Sequence, residues 1–231
     1  LVLLAKDLEG YKNLMILTSK SYIEGLYYKP RIDESLLKEH SNGLVCLSGG
    51  ISGKLSSLLL EGKTKEAEEL SRSYSNIFGY ENFFIELQDH GISDEKKVGP
   101  LLIKLARRLG IPMVLTNDTH YALKDDATSQ DILLCIGTKR TREDSNRLKF
   151  YGSDFYIKSA DEMSSLFPNY PELITNTVRI AAMCNVDIPK LGPILPIYNI
   201  PEGFKNKDEY IDHIVNEGLK QRYETITDDC L

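Results

Sequence analysis

Pro112-Met113-Val114-Leu115-Thr116-Asn117-Asp118-Thr119-His120-Tyr121 is the stretch from which the fold is read. A short apolar run gives way at once to an amide, a carboxylate and an imidazole. That is the pattern of a buried strand whose carboxyl end opens on solvent. Side chains at i and i+2 of an extended chain share a side. Asp118 and His120 could therefore converge on one metal ion, or on one phosphate through a metal. The competing reading makes Asp118 a turn cap and His120 a surface residue, and the spacing alone leaves both open.

Upstream, Ser93-Asp94-Glu95 opens a helix with Leu101, Leu102, Leu105 and Leu109 at helical spacing, ended by Gly110. Before it, Asn82-Phe83-Phe84-Ile85-Glu86-Leu87 reads as a strand, followed by Gln88-Asp89-His90-Gly91. If extension continues, Glu86, Gln88 and His90 share a face. Glu86 and His90, with Asn117, are then candidates to line the same crevice. Otherwise Asp89, His90 and Gly91 are a strand-to-helix turn. Gly43-Leu44-Val45-Cys46-Leu47 is a third apolar strand, closed by Ser48-Gly49-Gly50. Helices fit Leu55–Leu60 and Lys65–Phe78 between these strands. A helix from Asp7 to Gly25 and a short one capped by Asp33 come before them. Another helix starts at Asp125 or Asp126. Strands alternate with helices and no hairpin turn occurs, which predicts an α/β fold with parallel strands, as a sheet or a barrel.

Beyond Lys139 the texture changes. Lys139, Arg140 and Arg142, with Arg147 and Lys149, make a basic loop that could touch phosphate, although Glu143 and Asp144 interrupt it and a solvated loop fits as well. Ser159-Ala160-Asp161-Glu162 is a capping box, and Pro171-Glu172 starts a helix running to Met183. Pro189, Pro193, Pro196 and Pro201, with Gly192 and Gly203, mark an extended linker, and a last helix fits Asp208–Tyr223.

Composition narrows the function. The 231 residues are 42% hydrophobic and 27% charged, values of a folded chain that rule out wholesale disorder. No apolar run approaches the ~18 residues of a membrane span. The formal charge of −6 argues against autonomous DNA binding through bulk charge. Cys46, Cys135, Cys184 and Cys230 form no CxxC pair, so neither a zinc ribbon nor a dithiol redox site is written here. Free thiols and no secretory signal point to a reducing, cytoplasmic compartment. Gly49 to Lys54 falls out of frame for a nucleotide P-loop, and no GxSxG elbow occurs. A first residue of Leu1 rather than Met suggests a piece of a longer protein.

Several ordered strings now coincide with one family. They are Leu3-Leu4-Ala5-Lys6-Asp7, Gly10-Tyr11-Lys12-Asn13-Leu14, Phe83-Phe84-Ile85-Glu86-Leu87-Gln88-Asp89-His90-Gly91 and Thr116-Asn117-Asp118-Thr119-His120-Tyr121. Asn176-Thr177-Val178, Cys184-Asn185-Val186 and Gly218-Leu219 follow in order. Together they resemble the N-terminal region of the alpha subunits of bacterial DNA polymerase III, the C-family replicative polymerases, over essentially the whole chain.

The resemblance implies a PHP (polymerase and histidinol phosphatase) domain, a distorted (βα)7 barrel. In active members, His, Asp, Glu and Cys ligands at the strand ends bind metal. That site supports phosphoester hydrolysis, in some members as a metal-dependent 3′–5′ exonuclease; elsewhere the domain is structural. The implied organisation is a PHP domain over 1–190 lacking its N-terminal strands, a Pro-rich linker over 191–203, and the start of a mostly helical polymerase core over 204–231. Asp118 and His120 match the family's late Asp-x-His ligand pair. The early His-x-His motif is absent: His40, His90, His120 and His213 lie far apart. Gly50 stands where active members often carry a ligand cysteine. Zn, Mn or Mg in the PHP site is therefore expected to be weak or absent, with Mg serving the parent polymerase. The implied partners are DNA and other replisome subunits, through the parent protein and with no membrane. The isolated chain, deprived of strands, is expected to be inactive and to self-associate.

Overall fold

The computed structural model describes residues 1–190, 192–193 and 195–225. Residues 191 and 194 of the expected linker, and 226–231 of the expected core with Cys230, lie outside the described residues. The chain divides into two compact units, Leu1–Ile188 and Pro189–Leu231.

The first unit is mixed α/β. Its strands are β1 (Val2–Ala5), β2 (Leu44–Leu47), β3 (Phe83–Leu87) and β4 (Met113–Leu115), which form one sheet in sequence order. The three strands expected from sequence run parallel, with Cys46 beside Phe83 and Glu86 beside Val114. Their crossovers are helical: α3 (Lys54–Leu60) and α4 (Thr64–Phe78) between β2 and β3, and α5 (Ser93–Leu109) between β3 and β4.

The exception to parallel pairing is β1, which lies antiparallel to β2 with Ala5 opposite Leu44. Its connection to β2, through α1 (Leu8–Ile23) and α2 (Glu34–Glu39), leaves and returns at the same end of the sheet. Lys6 N donates to Gly43 O there, at 2.8 Å. An excursion that returns to its own end reverses the strand, whereas a crossover would not. With β1 and β4 at its edges, the sheet of the described residues is open.

Both faces of the sheet are covered, as the near-continuous apolar strands require. Alternate strand residues sort to opposite sides. Leu44, Cys46, Phe83, Ile85, Leu87, Met113 and Leu115 join the larger core with Leu55 and Leu59 of α3, Tyr74 and Phe78 of α4, and Leu102 and Leu105 of α5. Val45, Leu47, Phe84 and Val114 face the other way, against Ile180 of a later helix, Glu172–Met183.

Local chemistry sets the boundaries. Asp7 Oδ1 accepts from Gly10 N at 2.9 Å, and Asp33 Oδ1 from Leu36 N at 2.8 Å, capping α1 and α2. Gly110, at φ 70°, closes α5 in the left-handed conformation. Three more helices follow: α6 (Ala127–Thr138), α7 (Ala160–Leu166) and α8 (Glu172–Met183). Ser159 and Glu162 cap α7 reciprocally, as their spacing predicts.

The second unit holds α9 (Lys207–Arg222), capped by Asn206 Oδ1, which accepts from Glu209 N at 2.9 Å. Tyr198 and Phe204 pack against Tyr210 of that helix. None of the helix's residues is buried.

Candidate functional site at the strand ends

The carboxyl ends of β2, β3 and β4 are joined through a buried carboxylate. Glu86 is 3% exposed, at the penultimate position of β3. Its Oε2 accepts from Gly49 N at 3.0 Å, and its Oε1 from Thr116 Oγ1 and from Gln88 Nε2 at 3.3 Å. Its own N–H donates to Ser48 Oγ at 2.9 Å. A carboxylate this far from water is tolerable only when its oxygens are satisfied, and here donors from all three strand ends satisfy them. Of the expected face of Glu86, Gln88 and His90, the first two meet in this hydrogen bond, whereas the His90 ring bonds to Glu95 and to Asp118 N.

His90 sits at the next level out and is 2% exposed. Gly91, at φ 78°, forms the strand-to-helix turn, with its N–H donating to Asp89 Oδ1 at 2.9 Å. The expected strand-to-helix turn is thus present, and it carries the buried His90 ring. Glu95, 4% exposed in the first turn of α5, accepts from the His90 backbone N–H at 2.7 Å and from Nδ1 at 2.9 Å. Burial pushes the Glu95 carboxyl upward, but the His90 ring and backbone hydrogen bonds outweigh it and hold the group below the usual carboxylate range. With Nδ1 donating to Glu95, the bare Nε2 accepts from Asp118 N at 3.0 Å. Asn117 Oδ1 lies 3.1 Å from the same Nε2 and accepts from Lys158 Nζ at 3.1 Å. Desolvation lowers the Lys158 ammonium below its ordinary value.

Asp118 and His120 meet as the i, i+2 spacing predicts: Oδ1 and Nε2 are 3.1 Å apart. The carboxylate side chain is 54% exposed and the imidazole 34%. They form a solvent-facing rim, and the exposure of both residues fits the surface reading of His120 as well. His120 N donates to Phe155 O at 2.8 Å, and the ring tilts against Phe150 at 4.3 Å. Phe155 stacks on His90 at 4.6 Å, with the ring planes parallel to within 3°. Segment 150–158 therefore floors the rim. Glu95, Thr116, Lys158 and the two phenylalanines were missed from sequence. Only Glu95 left a signal, as an acid in the first turn after His-Gly.

The basic loop is only partly drawn together. Lys139 ends α6 at φ 53° and Arg140 is exposed. Arg142 Nε reaches Asp131 Oδ2 at 3.4 Å. Arg147, of the same basic loop, clamps Asp131 with two bonds of 2.5 and 3.0 Å.

The donor set does not match the metal site that the resemblance implies. Among the described residues no three His, Cys, Asp or Glu side chains stand close enough to hold an ion. Asp118 and His120 supply two donors where protein metal sites usually take three or four. Cys46 lies in the helix-side core, its thiol pushed well up by burial. At Gly50, an added Cβ would fall 2.1 Å from Gln88 Oε1. The described residues thus do not constitute a metal centre by themselves.

A PHP domain profile matches residues 1–90. The chain is 57% identical over 229 residues to the DNA polymerase III subunit alpha of Treponema pallidum, covering 99% of this chain and 20% of that protein. The subunit alpha of Borreliella burgdorferi is 47% identical, over 98% of this chain and 20% of the relative. That of Thermus aquaticus is 41% identical, over 96% and 19%. The chain therefore spans about a fifth of the length of these relatives. No described helix is long and apolar enough to cross a membrane. With the same subunit matched along nearly the whole chain, this sequence belongs to the DNA polymerase III alpha-subunit family, as a segment that carries PHP-domain sequence.

Proposed function

We propose that the chain is the later part of a PHP domain joined to the first stretch of a polymerase core, within the catalytic subunit of a bacterial replicative DNA polymerase. The near-complete coverage of this chain by polymerase alpha subunits carries this reading. In it, residues 1–190 belong to a distorted (βα)7 barrel, 191–203 to a linker and 204–231 to the core. DNA-directed synthesis by two-metal nucleotidyl transfer with Mg then belongs to the parent protein, as do its DNA and replisome contacts in the cytoplasm. The segment itself is structural: it holds a rim of Asp118 and His120 in place and is inactive alone.

The alternative is a metal-dependent phosphoesterase or 3′–5′ exonuclease with Zn, Mn or Mg at that rim. The close pairing of Asp118 and His120 favours it; the two-donor set and Gly50 count against it. Metal analysis separates the two readings. The structural reading expects the purified chain, after exposure to Zn or Mn, to retain less than a stoichiometric equivalent and to cleave no phosphodiester. Stoichiometric metal, with cleavage abolished in Asp118→Asn, would overturn it.

A further inference from the structure

Beside the rim lies a cavity of about 240 Å³, lined by Tyr121, Gln130, Asp131, Arg142, Arg147, Lys149 and Phe150 among others. We propose that this cavity binds a phosphate group, held by Arg142, Arg147 and Lys149. The site is separate from the rim and does not depend on any reaction there.

Charge makes the first case. Three cationic side chains line the cavity against one carboxylate, in a chain whose formal charge is −6. Asp131 is already engaged: the Arg147 guanidinium holds its carboxyl below the ordinary range. That clamp fixes Arg147, whose side chain is 9% exposed, so its planar fork is oriented before a ligand arrives. Arg147 Nε and Nη1 also donate to Arg142 O and Leu148 O, both at 3.4 Å, leaving an Nη2 N–H over. Lys149 has no carboxylate within ion-pair distance among the described residues, and its ammonium lies 5.4 Å from the Tyr151 ring centroid.

Size makes the second case. At about 30 Å³ per water, the cavity holds roughly eight waters. That admits a phosphate group but falls below the ~300 Å³ at which sites for larger organic ligands begin. The rest of a phosphomonoester would project into solvent. The cavity also abuts the rim: Phe150, in its wall, is the ring against which His120 tilts. The residues that matter are thus Arg142, Arg147 and Lys149, whereas Lys139 and Arg140 do not line the cavity.

Titration calorimetry on the whole chain tests this, with inorganic phosphate, a 5′-mononucleotide and a single-stranded oligonucleotide as probes. The expected result is saturable phosphate binding, weakened about tenfold or more in the Arg142→Ala/Lys149→Ala double variant, since each charge-assisted bond is worth about a factor of ten. Lys149→Glu, an exposed change that leaves the Arg147 clamp intact, should weaken it as much. Equal affinity for phosphate and mononucleotide assigns recognition to the phosphate alone; tighter mononucleotide binding that is lost in the same variants adds the nucleoside. Absence of phosphate binding, affinity unchanged in both variants, or binding of the oligonucleotide alone would overturn the proposal. Circular dichroism establishes that the variants are folded.

Discussion

Replacing Glu95 with alanine should destabilise the first unit more than any change at the rim itself. Glu95 accepts two hydrogen bonds from His90, at 2.7 Å from the backbone N–H and 2.9 Å from Nδ1. Both residues are at least 96% buried, so water cannot replace the lost acceptor. Each orphaned buried donor costs about 1–3 kcal/mol, so the pair predicts a loss of about 4 kcal/mol, within the range for breaking a buried pair. Glu95→Gln keeps one acceptor oxygen and should lose about half as much. The chain has no tryptophan, so urea unfolding is best followed by far-ultraviolet circular dichroism, with the slope m compared between variants. The pH dependence has a definite sign. The folded-state carboxyl of Glu95 lies below its ordinary value. Its contribution is therefore complete above the unfolded value of about 4.3 and is lost as pH falls from there through the folded value. The gap between wild type and Glu95→Gln should close over that acidic range. A Glu95→Ala loss under about 1 kcal/mol at neutral pH, or a gap that widens on acidification, would refute the assignment of Glu95 as the acceptor that fixes His90.

Three further outcomes are expected. His120→Ala should change stability by no more than about 1 kcal/mol, because the ring is partly exposed and its backbone bond to Phe155 survives; a loss above about 2 kcal/mol in the same urea titration would make it a structural residue. Gly10→Ala should cost about 3 kcal/mol, because an added Cβ would fall 1.9 Å from Gly43 O and force α1 off the entrance to β2; a thermal midpoint equal to wild type would contradict that close approach. Asp131→Asn should release Arg147 and speed tryptic cleavage at Arg140 and Arg142, whereas an unchanged digestion time course would show that the clamp does not hold the loop.

The parallel core was legible because its signals are local. The apolar runs at 44–47, 83–87 and 113–115 and the caps at Asp7, Asp33 and Ser159 each announce an element within a few residues. The pairing of Asp118 with His120 followed from the period of an extended chain. β1 was missed because four residues ahead of a helix show no alternation, and its antiparallel pairing depends on where α2 returns the chain. Segment 150–158 was illegible for a different reason. Phe150, Phe155 and Lys158 act through contacts with His120, His90 and Asn117, which lie far earlier in the chain, and no local period encodes such a contact.

The hydrogen bonds also explain why stability and ligand contact separate in this site. Glu86 ties Gly49, Gln88 and Thr116 at the ends of the three parallel strands. His90 holds the Asp118 backbone N–H, and Phe155 O holds that of His120. The main chain on which the rim side chains stand is thus fixed by protein groups, while the Asp118 carboxylate and the His120 imidazole remain turned to solvent. Such a rim keeps its shape whether or not those side chains engage a ligand, because the partners that position it are the buried ones. Substitution of the rim side chains should then carry little penalty to folding, whereas Glu86, His90 and Glu95 have to stay paired. For the same reason the large effect is expected at Glu95, which touches no solvent-facing chemistry, and the small one at His120, which is part of it.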